Sequence, residues 1–280
     1  MDDNANNEKQ MTFNSNDEEM TEEEYRNVLL DKYSETEGLM PRREFSDNED
    51  KCHEYTLIDN LKGLAPIYAI DRHRLSTDGN GVTTLVAFHK CLLNCKYCIN
   101  PQTWQTDKVS KKMTAKELYE EVKKDNLYFL ATGGGITFGG GEPCLYSSFI
   151  KEFREKSSPK WNLTVETSLW VSQSHIKKLL SIIDYWIIDI KDMDKKRYKR
   201  YTGFDNSLMI DNLEFLLRNG KAEQMLVKVP YIENFNTRED VDNNVEMLKN
   251  MGVKNVKVFD YKIYGENNNG YHSTDSPQHD

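Results

Sequence analysis

The stretch VTTLVAFHKCLLNCKYC, residues 82–98, joins a β-branched apolar run to three closely spaced cysteines. The run is typical of a buried β-strand, and the cysteines begin just after that strand ends. In a parallel α/β barrel the carboxyl ends of the strands converge on one site, so we expect the thiols to lie there. Three thiols spaced C-x3-C-x2-C can hold a metal centre, but the common centres need four ligands. The fourth ligand has to come from elsewhere.

The chain from this stretch onward alternates strands with helices. Short β-branched runs recur, and amphipathic stretches with helical spacing lie between them. The predicted strands are 82–88, 136–138, 163–168, 186–190, 225–232 and 253–261, and the helical stretches include 114–130, 146–157 and 237–251. This alternation predicts an α/β fold with parallel strands, arranged as a partial (β/α)6 barrel. A doubly wound sheet is the alternative, but no G-x-G-x-x-G follows a strand and opens a helix.

The net charge of −9 is unevenly distributed along the chain. The first 60 residues hold 18 acidic and 6 basic side chains, whereas the rest of the chain carries a net charge of +3. We therefore expect an acidic, largely disordered extension over 1–64, a domain over 65–265 and a disordered tail over 266–280. A capping-box pattern at Thr21–Glu24, followed by apolar residues at helical spacing, predicts one short amphipathic helix in the extension.

The cysteine usage and the hydropathy predict a soluble, cytoplasmic protein. Five cysteines are an odd number, and their clustering does not fit a secreted disulfide framework. The amino terminus has neither the basic nor the apolar region of a signal peptide, and no apolar run approaches the roughly 18–20 residues of a membrane span. We expect neither a membrane nor a nucleic-acid partner. Cys52 and Cys144 are interpreted as ordinary thiols.

Two kinds of metal centre compete for the three clustered thiols. A structural zinc would need His89, Cys52 or Cys144 as its fourth ligand, and His89 fits a strand residue better. An all-cysteine iron–sulfur cluster lacks a fourth cysteine at any standard spacing. A 4Fe–4S cluster with one iron left open is the other possibility, because an open iron can bind a small molecule and pass it an electron.

Several motifs resemble those of one family. The C-x3-C-x2-C spacing with Tyr97 before the last cysteine resembles the signature of radical S-adenosylmethionine enzymes. Other stretches resemble the family's activating enzymes for glycyl-radical enzymes, in the same order along the chain: STDGNGVTTLVAFHKC, GGGEP at 139–143, DIK at 189–191, YTGFDNSLMIDNLEFL at 201–216 and KVPYIENFNT at 228–237. No cysteine occurs between residues 99 and 138, so the chain is most similar to the single-cluster, pyruvate formate-lyase-activating type.

The resemblance implies a set of site residues and two cofactors. Cys91, Cys95 and Cys98 would hold one 4Fe–4S cluster, and the amino and carboxylate groups of S-adenosylmethionine would complete it. The residues implied to bind this cofactor are Tyr97, Gly140, Gly141, Glu142, Glu166, Asp189, Lys191, Lys228 and Lys262. The glycine backbone would meet the methionyl amino group, Lys191 the carboxylate and Tyr97 the adenine. Apart from the resemblance, the alternation of side chains along a strand places Asp189 and Lys191 on one face. Opposite charges buried there are costly unless they are paired.

The implied activity is hydrogen abstraction by a radical. A flavodoxin or ferredoxin would supply one electron, S-adenosylmethionine would be cleaved to methionine and a 5′-deoxyadenosyl radical, and that radical would take a hydrogen from a glycine of a partner glycyl-radical protein. The glycine-containing segment Thr77–Gly81 is predicted to help to receive the partner, and a position along an open barrel edge would suit that role. The alternatives are a radical enzyme that modifies a peptide or small molecule, and a cluster protein that binds a partner without turnover.

Three positions depart from the family pattern. Lys90 replaces the glycine before the first cysteine, Lys262 replaces a histidine, and Glu233-Asn234 replaces a Pro-Gly turn. Lysine can still bring a positive charge to a carboxylate, although its reach differs from that of an imidazole. Asn234 is expected to preserve the turn, because asparagine tolerates the left-handed conformation better than most residues. The chain also ends soon after the sixth predicted strand, without the family's closing helix.

Overall fold

A computed structural model describes residues 63–75, 78–104 and 111–261. The predicted helix near Thr21–Glu24, Cys52, Lys262 and the predicted tail lie outside these residues. The proposed domain boundaries therefore stay predictions. Among the described residues, no helix is long and apolar enough to cross a bilayer.

The core of the fold is one eight-stranded sheet. Its strands are β1 (Leu64–Leu75), β2 (Val82–Phe88), β3 (Lys111–Thr114), β4 (Gly135–Gly140), β5 (Asn162–Thr167), β6 (Tyr185–Asp189), β7 (Met225–Ile232) and β8 (Val256–Tyr261). They pair in the order β3-β1-β2-β4-β5-β6-β7-β8. Six strands run parallel to one another and follow chain order, namely β2 and β4 to β8. This unreversed order is that of a partial (β/α)6 barrel and confirms the predicted α/β fold, since a doubly wound sheet would reverse direction.

Two strands at one edge of the sheet, β1 and β3, were not predicted from the sequence. β1 pairs antiparallel with β2 on one side and with β3 on the other. The register of β1 shifts twice, and His73 has a positive φ of 58°, so its apolar residues do not alternate regularly. β3 has only four residues and presents two exposed lysines, which gave no apolar pattern to detect.

The helices pack on the outer face of the parallel strands. They are α1 (Ala115–Val122), α2 (Asn126–Thr132), α3 (Ser147–Lys156), α4 (Gln173–Leu179), α5 (Lys195–Thr202), α6 (Ser207–Arg218) and α7 (Arg238–Met251). Capping boxes begin two of them, at Thr114 with Glu117 and at Thr237 with Asp240. α7 ends at Gly252, whose φ of 101° stops the helix.

The stretch 114–130, which carries a single helical pattern, forms two helices separated by a 3-10 turn at Lys123–Asp125. The side chain of Asp125 explains the interruption, because it is buried and fully engaged. Its carboxylate accepts hydrogen bonds from Arg72 and from Thr84 Oγ1, each at 2.8 Å. Drawing this carboxylate inward towards β1 and β2 breaks the regular turn of the helix.

The two faces of the parallel strands differ in chemistry, as alternation of side chains requires. The outer face is apolar and buried beneath the helices, and its members include Val86, Phe88, Ile136, Phe138, Leu163, Val165, Trp186, Ile188, Val227 and Val229. The inner face carries polar and charged residues at the same depth, among them Thr137, Glu166, Asp189 and Lys228. The fold therefore places its charged groups together on the inner face, near the carboxyl ends of the strands.

Candidate active site

The three clustered cysteines lie in an irregular loop that follows β2. Backbone hydrogen bonds fix this loop at both ends. Lys90 N donates to Thr103 O at 2.8 Å, Asn94 N to Thr202 O at 3.2 Å, and Lys96 N to Tyr201 O at 2.8 Å. The cysteine loop is thus anchored to the 3-10 turn that follows it and to the carboxyl end of α5.

All three thiols are free, and Cys95 is buried while Cys91 and Cys98 are partly buried. Burial raises the pKa of each thiol, that of Cys95 to about 12. Among the described residues, no three His, Cys, Asp or Glu side chains are placed to share a single metal ion. A cluster differs from a single ion because each thiolate binds a separate iron. The donor set of three soft sulfur atoms in a fixed loop fits a 4Fe–4S cluster, and metal binding would displace their protons.

The glycine turn at the end of β4 packs backbone to backbone against the start of the cysteine loop. Gly141 N donates to Phe88 O at 2.8 Å, and Glu142 N donates to Lys90 O at 2.7 Å. A Cβ on Gly141 would lie 2.2 Å from Lys90 O, and Gly140 has a φ of 92°. These glycines are therefore required by the contact between two chain segments. Gly139 is the glycine that faces inwards, since a Cβ there would meet Glu166 and Leu85.

Lys90 occupies a backbone conformation that favours glycine, with a φ of 75°. The family pattern has glycine at this position, so the structure gives a physical reason for that preference. A non-glycine residue in the left-handed region costs roughly 1 kcal/mol. The chain bears this cost beside Cys91, where the loop turns away from β2.

We expect Lys90→Gly to be more stable than Lys90→Ala by about 1 kcal/mol in free energy of unfolding. Both variants remove the same lysine side chain, so the difference between them isolates the backbone conformation. Chemical denaturation of the two variants measures it. Equal stabilities would contradict the left-handed conformation at residue 90.

The side chain of Glu142 holds the glycine turn in place. Its carboxylate is 1% exposed and accepts four hydrogen bonds. Cys144 N and Thr167 Oγ1 donate to one oxygen at 3.1 and 2.7 Å. Ser168 donates to the other oxygen through N and Oγ at 3.0 and 2.7 Å. The carboxylate thus ties the turn after β4 to the end of β5, and the backbone of this turn remains the part that could meet a ligand.

Glu142→Gln is expected to lower the free energy of unfolding by about 2 kcal/mol or more. An amide presents two N–H donors in place of one carboxylate oxygen, so two of the four buried donors lose their acceptor. Urea denaturation of the metal-free protein measures the change. The control is Glu155→Gln, an exposed position on α3 that should change stability by less than about 0.5 kcal/mol. Equal effects at the two positions would contradict the structural role of Glu142.

Four charged side chains of opposite sign meet on the inner face. Lys228 Nζ lies 2.5 Å from Glu166 Oε1, and Lys191 Nζ lies 3.7 Å from Asp189 Oδ2. Burial and the neighbouring Asp189 raise the pKa of Glu166, while Lys228 offsets part of that rise. Burial works against the charge of Lys228, but Glu166 and Asp189 outweigh it and raise its pKa. Both ammonium groups therefore stay protonated at neutral pH.

Lys191 lies beside the cysteine thiols. Burial lowers its pKa, but Asp189 and the Cys95 sulfur outweigh burial and raise it. In return, Lys191 lowers the pKa of both Cys95 and Cys98, in part against burial. Among the described residues, the ammonium of Lys191 contacts a carboxylate only at Asp189, 3.7 Å away, so it keeps donors available next to the thiols. Ile190 is buried on the opposite side, as the alternation predicted.

Tyr97 belongs to an aromatic cluster around the cysteine loop. Its ring lies 5.9 Å from that of Tyr201 and 5.8 Å from that of Phe235. Its backbone carbonyl accepts a hydrogen bond from the Tyr261 hydroxyl, at the end of β8. Burial raises the pKa of Tyr261 to about 12, so the hydroxyl remains a donor. The cluster shields one side of the loop from water and ties it to the last parallel strand.

The described residues of the Thr77–Gly81 segment, 78–81, do not lie along an open edge of the sheet. β2 is not an edge strand, because β1 and β3 extend the sheet beyond it. The carbonyl of the buried Asp78 accepts a hydrogen bond from Thr137, and a Cβ on Gly79 would lie 3.1 Å from Thr164 Oγ1. The described part of the segment, 78–81, therefore packs across the inner face against β4 and β5. Of its side chains, Asn80 is exposed.

Two further predictions concern Asn234 and Cys144. Asn234 has a φ of 64°, which confirms that asparagine preserves the turn after β7. Cys144 is fully buried and packs in the core, away from the cysteine loop's partly exposed thiols. Thr167, Ser168 and Tyr261 were missed by the sequence analysis. The polar residues ending VETS and the tyrosine ending the sixth predicted strand were the available signals, since each stands at the carboxyl end of a parallel strand.

Comparison with known proteins identifies relatives of the chain. A sequence model of the Radical SAM superfamily matches residues 85–274. The pyruvate formate-lyase-activating enzyme of Staphylococcus aureus is 32% identical over 143 residues, which cover 49% of this chain and 57% of that enzyme. The chain thus spans little more than half the length of the curated relatives it matches.

Solved structures show the same fold at low sequence identity. Streptococcus suis SuiB has a TM-score of 0.52 at 13% identity, covering 89% of this chain and 53% of SuiB. A structure of SuiB bound to S-adenosylmethionine has a TM-score of 0.51 at 14% identity, covering 65% of this chain and 43% of SuiB. At these identities the likeness concerns the fold alone.

Proposed function

Since the chain belongs to the radical SAM superfamily, we propose that it is the activating enzyme of a glycyl-radical enzyme. The family implies one 4Fe–4S cluster and S-adenosylmethionine as cofactors. The observation that carries the proposal is the position of Lys191, a protonated ammonium with available donors beside three thiols in a fixed loop. A group that binds the carboxylate of a cluster-bound cofactor has to lie next to the cluster.

The residues of the inner face suit the two ends of the cofactor. Cys91, Cys95 and Cys98 would hold the cluster, and when bound, the cluster supplies the electron that cleaves the carbon–sulfur bond of S-adenosylmethionine. Lys191 would bind the methionyl carboxylate, because a charge-assisted hydrogen bond is stronger than a neutral one. Glu166 and Asp189 would face the positively charged groups of S-adenosylmethionine. In the protein alone, Lys228 pairs with Glu166 and Lys191 contacts Asp189.

The role of the protein is to bind, orient and exclude water. The buried outer face and the aromatic cluster around Tyr97 hold the cysteine loop rigid. The turn at 78–81 covers part of the inner face and would limit how deeply a substrate enters. A glycine, which has no side chain, suits such a confined position. The proposed substrate is therefore a glycine in a loop of a partner protein, and the proposed reductant is a flavodoxin or ferredoxin.

A two-step assay tests the function. The anaerobically reconstituted protein is reduced with dithionite, and 5′-deoxyadenosine is quantified with and without a purified glycyl-radical protein from the same organism. We expect cleavage of S-adenosylmethionine, and a glycyl radical detected by electron paramagnetic resonance when the partner is present. Cleavage that yields no radical on the partner would favour a peptide or small-molecule substrate. A loaded cluster without any cleavage would favour a non-catalytic binding protein.

A further inference from the structure

A band of positive charge borders the cysteine loop. The sequence of α5, KKRYKRYT, has five basic residues and no acidic one. Lys196, Lys199 and Arg200 are exposed and lie at i, i+3 and i+4, so they share one face of the helix. Lys96, inside the cysteine loop, is also exposed. We call these four residues the cationic rim.

Within the described residues, three of the rim's four charges have no carboxylate partner. Two other cations of α5 are paired: Arg197 lies 2.8 Å from both Asp192 and Asp240, and Lys195 lies 3.8 Å from Asp205. By contrast, within the described part of the chain no carboxylate lies within 4 Å of the ammonium groups of Lys96, Lys196 or Lys199. The described part of the chain therefore leaves the ammonium groups of the rim unpaired.

The rim is joined directly to the thiol-bearing loop. The carbonyls of Tyr201 and Thr202, at the end of α5, accept hydrogen bonds from Lys96 N and Asn94 N. Arg200 stacks on the ring of Phe235, 4.7 Å from its centroid, and Phe235 contacts Tyr97. The helix that carries the charge and the loop that carries the thiols thus form one surface.

An exposed apolar residue lies in the same loop as Lys96. Ile99 follows Cys98 directly, and 61% of its surface is exposed. Protein interfaces combine an apolar centre with a polar border, and charged borders steer a partner of opposite sign towards the right orientation. The cationic rim and Ile99 supply both features on the cysteine loop and the helix bonded to it.

We propose that the cationic rim, together with the exposed Ile99, is the docking surface for an acidic electron-carrier protein with a flavin or iron–sulfur group. The inference rests on the proposed function, which requires one electron from outside for each cleavage. The carrier is oxidised by one electron and the docked enzyme is reduced by one. Docking on the cysteine loop and the adjoining α5 would bring the carrier close to the residues that hold the cluster.

The test reverses two rim charges and measures binding as well as activity. The double variant Lys196→Glu/Lys199→Glu leaves the cysteine loop unchanged. Lys151→Glu/Lys160→Glu is the matched control, because it makes the same change in net charge at exposed lysines elsewhere. Affinity for an oxidised, acidic flavodoxin is measured by calorimetry at low salt, and cleavage of S-adenosylmethionine is driven separately by photoreduced flavodoxin and by dithionite.

We expect the rim variant to bind flavodoxin roughly tenfold more weakly and to lose flavodoxin-driven cleavage in proportion, while dithionite-driven cleavage is unchanged. The control should stay within about twofold of the parent protein in each measurement. Equal weakening in both variants, or no weakening in the rim variant, overturns the docking surface. If the parent protein cleaves no S-adenosylmethionine with dithionite, the proposed function is contradicted. If the rim variant of that protein still loses flavodoxin binding, the docking surface is supported.

Discussion

Cys95→Ala is expected to abolish binding of the iron–sulfur cluster. Cys95 is the most buried of the three clustered thiols, and no other described cysteine can replace it. Cys144 is fully buried, and its neighbour Glu142 is held by four hydrogen bonds, so it has no freedom to move into the loop. The parent protein should bind about four irons and four sulfides per chain after anaerobic reconstitution. The variant should retain less than about one iron per chain, because two thiolates cannot hold a cluster that already has one open iron.

The matched control is Cys144→Ala, which removes a thiol outside the loop and should keep the full iron content. Iron and sulfide analysis, together with the spectrum of the reduced protein, measure both variants. About eight irons in the parent protein would contradict the single cluster. A cluster that survives Cys95→Ala unchanged would contradict the ligand assignment.

Lys191→Ala is expected to weaken binding of S-adenosylmethionine by roughly 10- to 100-fold, which is the loss of one hydrogen bond to a charged group. Lys191 is partly buried beside Asp189 and the thiols, with 20% of its side chain exposed, and its only contact to a carboxylate among the described residues is 3.7 Å long. It therefore has donors to offer to a cofactor carboxylate. Binding is measured by equilibrium dialysis on the reconstituted protein, and by the change that the cofactor causes in the spectrum of the reduced cluster.

Lys178→Ala provides the comparison, because Lys178 is exposed on α4 and donates to Ser148 at 3.1 Å. It should leave binding of the cofactor unchanged. Iron content is measured in parallel, so that loss of the cofactor is distinguished from loss of the cluster next to Lys191. Equal effects of the two substitutions would show that the assignment of the DIK motif is wrong.

The sequence was sufficient to predict the six parallel strands, because each is a compact β-branched run and helical patterns lie between them. It was insufficient for β1, whose register shifts twice, and for β3, whose four residues carry no apolar alternation. The site shows the same division. The cysteines, Asp189 and Lys191 could be predicted as site residues because they occur in motifs with local spacing. The anchoring of Glu142 by Thr167 and Ser168 depends on contacts 25 and 26 residues apart, which no local pattern reveals.

The position of the 78–81 segment could not be predicted from the sequence either. Its glycines correctly indicated a turn, but the sequence does not specify which face of the sheet that turn covers. The contact with Thr137 is made 59 residues further along the chain. Gly81 also shows why the turn is sensitive, since a Cβ there would lie 2.6 Å from Thr132 O. Substitutions at these glycines alter the turn itself, whereas the exposed Asn80 can be changed without that effect.

The hydrogen bond from Tyr261 to the carbonyl of Tyr97 has a consequence for biosynthesis. It joins residues 164 positions apart, so the surroundings of the thiols are complete only after β8 has been made. At a translation rate of about 5–20 residues per second, the ribosome needs roughly 8–33 s to add this length of chain. During that interval the nascent thiols have no finished pocket. We therefore expect cluster insertion to follow release of residue 261 from the ribosome, and oxygen present during synthesis to lower the yield of loadable protein.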